Sequence, residues 1–116
     1  MITDLFPTKI YEAKISNYDI IQDEFETLEK GINWQNLWDT HLISDPNFEE
    51  NILPYHFSRE LRNHLYNYTG SDGWSQQASW MACLEPGHYA AAHHHGHADL
   101  SGVYYYKTTG DDGDLF

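Results

Sequence analysis

The stretch Trp80-Met81-Ala82-Cys83-Leu84-Glu85-Pro86-Gly87-His88-Tyr89-Ala90-Ala91-Ala92-His93-His94-His95-Gly96-His97-Ala98-Asp99-Leu100-Ser101-Gly102-Val103-Tyr104-Tyr105-Tyr106-Lys107 decides the fold class of this chain. Its apolar and aromatic runs, punctuated by Gly and Pro, predict strands over about 79–84, 89–95 and 102–107. Gly110-Asp111-Asp112-Gly113 is a turn signal, and Asp114-Leu115-Phe116 begins a returning strand. Five metal-ligand candidates, His93, His94, His95, His97 and Asp99, fall within seven residues directly before the Tyr-rich strand.

Upstream, the periodicity changes. Lys9 to Ile15 alternates apolar and polar positions and predicts a half-buried strand. Ile21, Phe25, Leu28 and Ile32 recur at helical spacing, so a helix is expected over 18–30, capped by Asn17 and stopped by a left-handed Gly31. Residues 33–57 are too apolar for a flexible linker, and Pro46 and Pro54 break any long helix there. They read as a packed connecting segment covering one side of a sheet. A second helix, capped by Ser58, is expected to reach Tyr68, with His64 solvated or capping near its end and Arg59 and Arg62 as solvated charges. Helices first and strands after argue for an α+β or mainly β domain rather than alternating β/α units. The expectation is one domain over 1–116, helical or irregular over 1–74 and β over 75–116.

Composition excludes several function classes. The formal net charge is −12 with only six Lys and Arg, so a basic face for nucleic acid is absent and an anionic membrane surface is disfavoured. Aromatic residues form 16% of the chain, too many for a disordered segment. Cys83 is the only cysteine, so no internal disulfide can form, and it reads as a small core residue rather than a nucleophile. With no basic, apolar leader at Met1 and no long apolar run, a cytoplasmic location is expected.

On a strand, residues two apart share a face about 7 Å apart, a spacing from which two imidazoles can converge on one ion. His93 with His95, His95 with His97, and His97 with Asp99 all satisfy it. The span from His93 to Asp99 is about 20 Å when straight, too long for one ion without a bend at Gly96. His94 points to the opposite face, and His88 reads as a loop residue. Short His-rich tracts can also hold divalent metals without catalysis.

Four features together resemble the iron(II)- and 2-oxoglutarate-dependent oxygenases, and most closely a phage and bacterial branch of them. These are Leu5-Phe6-Pro7-Thr8-Lys9-Ile10-Tyr11, the Trp80 strand followed by Pro86-Gly87, Tyr89 followed by His93-His94-His95, and Ser101-Gly102-Val103-Tyr104-Tyr105 followed by Gly113 to Phe116. The resemblance is clear from about residue 75 onward. It implies a double-stranded β-helix (jelly-roll), iron(II) as metal and 2-oxoglutarate as co-substrate. His93 takes the first-ligand position, and His95 stands where such proteins usually carry a carboxylate. Tyr89 and Ser101 on either side favour His93 and His95 as the pair, and the shifted pair His97 and Asp99 is the alternative. Tyr105 is the tyrosine that the resemblance places near the co-substrate carboxylate, with sheet packing as the competing role.

The resemblance also implies a distal His and a basic residue for 2-oxoglutarate on later strands, and neither is present before Phe116. The expectation is therefore a truncated jelly-roll, with self-association or a second polypeptide completing the barrel. It would be a hydroxylase fragment, or alternatively a non-catalytic remnant acting as an interaction or metal-binding module. The substrate is not legible.

Overall fold

The computed structural model describes residues 9–91, 93, 95, 96 and 98–110. Two helices, α1 (Tyr18–Lys30) and α2 (Tyr55–Thr69), accompany a sheet of three short strands, β1 (Gln35–Leu37), β2 (His41–Ile43) and β3 (Ala82–Cys83). The sheet is antiparallel throughout in the order β1-β2-β3. The architecture is α+β. Among the described residues no helix is long and apolar enough to cross a membrane.

The α1 helix forms where its periodicity places it, and it buries Ile21 and Phe25. Its ends differ from expectation. Asn17 is the N-cap residue in a left-handed conformation, but its side chain makes no capping bond and instead donates to Glu60 Oε1 at 3.2 Å. Buried Glu60 competes for that amide, and the Ser16 hydroxyl joins it at 2.5 Å. Gly31 is right-handed (φ −94°), and the helix closes by a tighter bond from Gly31 N–H to Leu28 O at 3.0 Å. The left-handed glycine stop belongs to α2, where Gly70 (φ 73°) donates to Tyr66 O at 2.7 Å.

The start of α2 also moves. Ser58 lies inside the helix, which begins three residues earlier behind Pro54. The reason is tertiary: Glu24 of α1 accepts the backbone N–H of His56 at 2.9 Å and of Phe57 at 3.1 Å. A carboxylate from another helix thus satisfies two donors that a local cap would otherwise meet. His64 sits in mid-helix rather than at the end, with Nδ1 bonded to Tyr11 Oη at 2.9 Å and Nε2 3.9 Å from Glu60.

The largest correction concerns the strands. Residues 33–57 do not cover the sheet; they form most of it, because β1 and β2 pair as a hairpin with Leu37 opposite His41 and Gln35 opposite Ile43. Lys9 to Ile15 makes no strand. That segment lies along α2 through Tyr11, whose ring is 5.8 Å from His64 and 5.3 Å from Tyr68. Of the expected strand over 79–84 only Ala82–Cys83 pairs, with Ser79 adding an isolated parallel bridge to Asn51. The described parts of 89–95 and 102–107 carry no ladder. The expected strand at 114–116 lies outside the described residues, as do Leu5 to Thr8.

The core is Ile21, Phe25, Phe57 and Met81, with Tyr104 and Tyr106 packed against it. Phe25 is its hub: its ring is 5.0 Å from Phe57, 5.4 Å from Tyr104 and 5.1 Å from Tyr106. Tyr104 and Tyr106 therefore turn inward while Tyr105 turns outward, the alternation of an extended segment without a strand partner. Burying such rings contributes about 1.5–3 kcal/mol each, and the Tyr106 hydroxyl donates to Glu29 Oε2 at 2.8 Å.

Candidate metal centre

One turn and two backbone ties carry the chain from the sheet to the histidines. Met81 is tied to Ser44 in both directions, through Ser44 N–H to Met81 O and Met81 N–H to Ser44 Oγ, each at 2.9 Å. After β3 the Glu85-Pro86-Gly87-His88 turn closes with His88 N–H on Glu85 O at 2.9 Å, and Gly87 supplies the positive φ of 86° that this turn requires. The His88 ring is used locally, since its Nδ1 accepts Glu85 N–H at 3.0 Å. It is the loop residue that its position suggests. Tyr89 N–H then bonds Thr40 O at 3.0 Å, holding the chain beside the hairpin loop.

His93 and His95 come together. Their Nε2 atoms are 3.0 Å apart and their ring centroids 4.9 Å apart, with both residues exposed. His93 Nδ1 donates to Ala91 O at 2.7 Å, an anchor that turns its Nε2 toward His95. Two imidazoles on one ion, at metal–nitrogen distances of about 2.1 Å and a right angle, place their nitrogens about 3 Å apart. The observed pair has the separation of two adjacent ligands of an octahedral ion.

The alternative pair, His97 and Asp99, involves a residue outside the described ones. Asp99 is exposed, and among the described residues no group of three His, Cys, Asp or Glu side chains converges on a common point. His97 and His94 lie outside the described residues. Tyr105 is 61% exposed, with its ring turned away from the Phe25 core. The other histidines are engaged elsewhere: His41 is buried on β2 with Nδ1 2.8 Å from Thr40 Oγ1, and His56 pairs with Glu24 at 3.1 Å. Cys83 is half-buried on β3, and burial first, then the charges of Glu85 and Glu29, push its thiol above the ordinary range. It remains a thiol, as its apolar surroundings suggest.

Sequence reasoning missed the aromatic surroundings of the pair. The Trp80 ring lies 6.3 Å from His95, Phe48 packs edge-on against Trp80 at 4.8 Å, and Trp38 lies 6.1 Å from Phe48. The hairpin that supplies Trp38 was not expected, so no signal in the spacing could have linked these rings.

No family model, curated protein or solved structure matches this chain.

Proposed function

We propose that this chain supplies two adjacent histidine ligands, His93 and His95, to a redox-active divalent metal, and that it works as an iron(II)- and 2-oxoglutarate-dependent dioxygenase. The observation that carries this reading is the 3.0 Å separation of the two Nε2 atoms, with His93 oriented by its bond to Ala91 O. Iron bound there would activate oxygen at the expense of 2-oxoglutarate and direct it to a substrate C–H bond. The chain's own part is to hold two nitrogen donors at neighbouring positions, with the Trp80 ring 6.3 Å from that of His95. On the resemblance, Tyr105 is the candidate contact for the co-substrate carboxylate, and its exposure leaves the hydroxyl accessible. The double-stranded β-helix belongs to the same proposal and rests on the resemblance.

The test is an anaerobic iron(II) titration of the purified chain with and without 2-oxoglutarate, followed by absorbance. A saturable charge-transfer band that requires both components supports the oxygenase. Iron binding without that band supports the second reading, a metal-binding or interaction module, which the lack of a third converging ligand among the described residues favours.

A further inference from the structure

We infer that the hairpin loop and the turn after β2 form a docking surface for a basic polypeptide segment, with Trp38 and Phe48 receiving an Arg or Lys side chain. This surface is independent of any metal.

Trp38 is 65% exposed, yet it is not a free side chain on a loose loop. It is held with φ 54° and its neighbour Asp39 with φ 58°, a conformation that a bulky residue adopts only when its surroundings enforce it. The enforcing contacts are reciprocal. Asp39 N–H donates to Asn36 Oδ1 at 2.9 Å, Asn36 Nδ2 donates to Asp39 Oδ1 at 2.7 Å, and Thr40 N–H closes the turn on Leu37 O at 3.0 Å. Phe48 is left-handed too, at φ 57°. Its turn is organised by Asp45, whose carboxylate accepts the N–H groups of Asn47, Glu49 and Glu50 at 2.7–2.9 Å. Two separate turns therefore present aromatic rings in fixed positions, and each is built around a carboxylate.

Charge selects the occupant. Between Gly31 and Ser58 there is no Lys or Arg, and none occurs again from Asn63 to Tyr106, so neither turn nor the segment carrying Trp80 has a cation of its own. Asp39 and Glu49, each next in sequence to one of the two aromatic residues, are exposed. A guanidinium or ammonium group is attracted both by an aromatic face and by negative charge in its neighbourhood, which is the recognition chemistry of cation–π sites. Phe48 leads on to Trp80 and then to His95, so a bound segment would run toward the histidine pair.

The test is fluorescence anisotropy with a labelled peptide of alternating Arg and Gly, titrated with the full chain in the presence of a chelator. The control peptide carries citrulline, the neutral isostere, at every Arg. Saturable binding is expected, weakened at least tenfold by citrulline and about tenfold by Trp38→Ala, a change at an exposed side chain that leaves the core intact. Tyr66→Ala is expected to bind like the parent, because that exposed ring lies on α2 in a cleft shared with Arg62. Equal binding of the citrulline peptide would overturn the cation reading. Parent-like binding by Trp38→Ala would overturn the site and leave only diffuse charge attraction, and absence of saturable binding would overturn both.

Discussion

Glu24 on α1 meets His56 on α2 twice, through the backbone N–H at 2.9 Å and through ring Nδ1 at 3.1 Å. With the Phe57 N–H added, one carboxylate caps a helix from which it is separated by more than thirty residues of sequence. It joins the two helices and sits at the end of α2 where the helix dipole favours negative charge.

Glu24→Gln is therefore expected to destabilise the fold by about 1–2 kcal/mol. Burial raises the Glu24 carboxyl pKa, but the His56 and Phe57 donors and the His56 ring outweigh it and hold it below the ordinary value. The folded value lying below the unfolded one, this stabilisation is fully present above about pH 4.3 and is lost as pH falls through the folded value. Urea melts across the acid range should show a shallower decline in the variant than in the parent.

Tyr106 gives the opposite limb. Burial, then its hydrogen bond to Glu29 and the surrounding negative charge, push its phenol well above the ordinary range. Its contribution is thus complete below about pH 10 and is lost as pH rises toward the folded value. Tyr106→Phe should cost about 1–2 kcal/mol at neutral pH and should flatten the alkaline limb of the same melts.

Phe25→Ala removes the ring that touches Phe57, Tyr104 and Tyr106 together. A loss of about 3–5 kcal/mol is expected, accompanied by loss of near-ultraviolet circular dichroism as the tyrosines come loose. Ile20→Ala, at an exposed position on the same helix, should stay within about 0.5 kcal/mol of the parent.

At the metal centre, His93→Ala and His95→Ala should each lower divalent-metal affinity by at least about tenfold, while Asp99→Ala should leave it nearly unchanged. Copper(II) is a convenient probe: with Trp80 close to His95, its binding should quench tryptophan emission, and Trp80→Phe should remove much of that quenching. A large loss in Asp99→Ala with little loss in His95→Ala would move the second ligand to Asp99.

The parts legible in the sequence are those governed by neighbours along the chain. The bounds of α1 follow from the spacing of Ile21, Phe25 and Leu28, which puts one apolar stripe on one face. The Pro86-Gly87 turn follows from the φ preferences of those two residues, and the candidacy of His93 and His95 follows from their separation by two. The inward turn of Tyr104 and Tyr106 against Tyr105 follows from simple alternation.

Tertiary structure decided everything that needed a partner from elsewhere. Strands β1 and β2 are three residues each, too short for a periodic signal, and they exist because the hairpin pairs and β3 adds to it. The segments 9–15 and 102–107 have strand-like composition, but their described residues dock on helices by side chains instead of joining a ladder. A strand is a relation between two segments, whereas composition describes only one. The same holds for caps: Asn17 and Ser58 are good local candidates, yet Glu60 takes the first side chain and Glu24 performs the second function, because a buried or dipole-facing carboxylate gains more from those donors than the local bond would. Sequence alone thus determined which residues could bind a metal or end a helix, and the three-dimensional arrangement decided which of them met, because hydrogen bonds and ligand geometry depend on distances in space that spacing along the chain does not set.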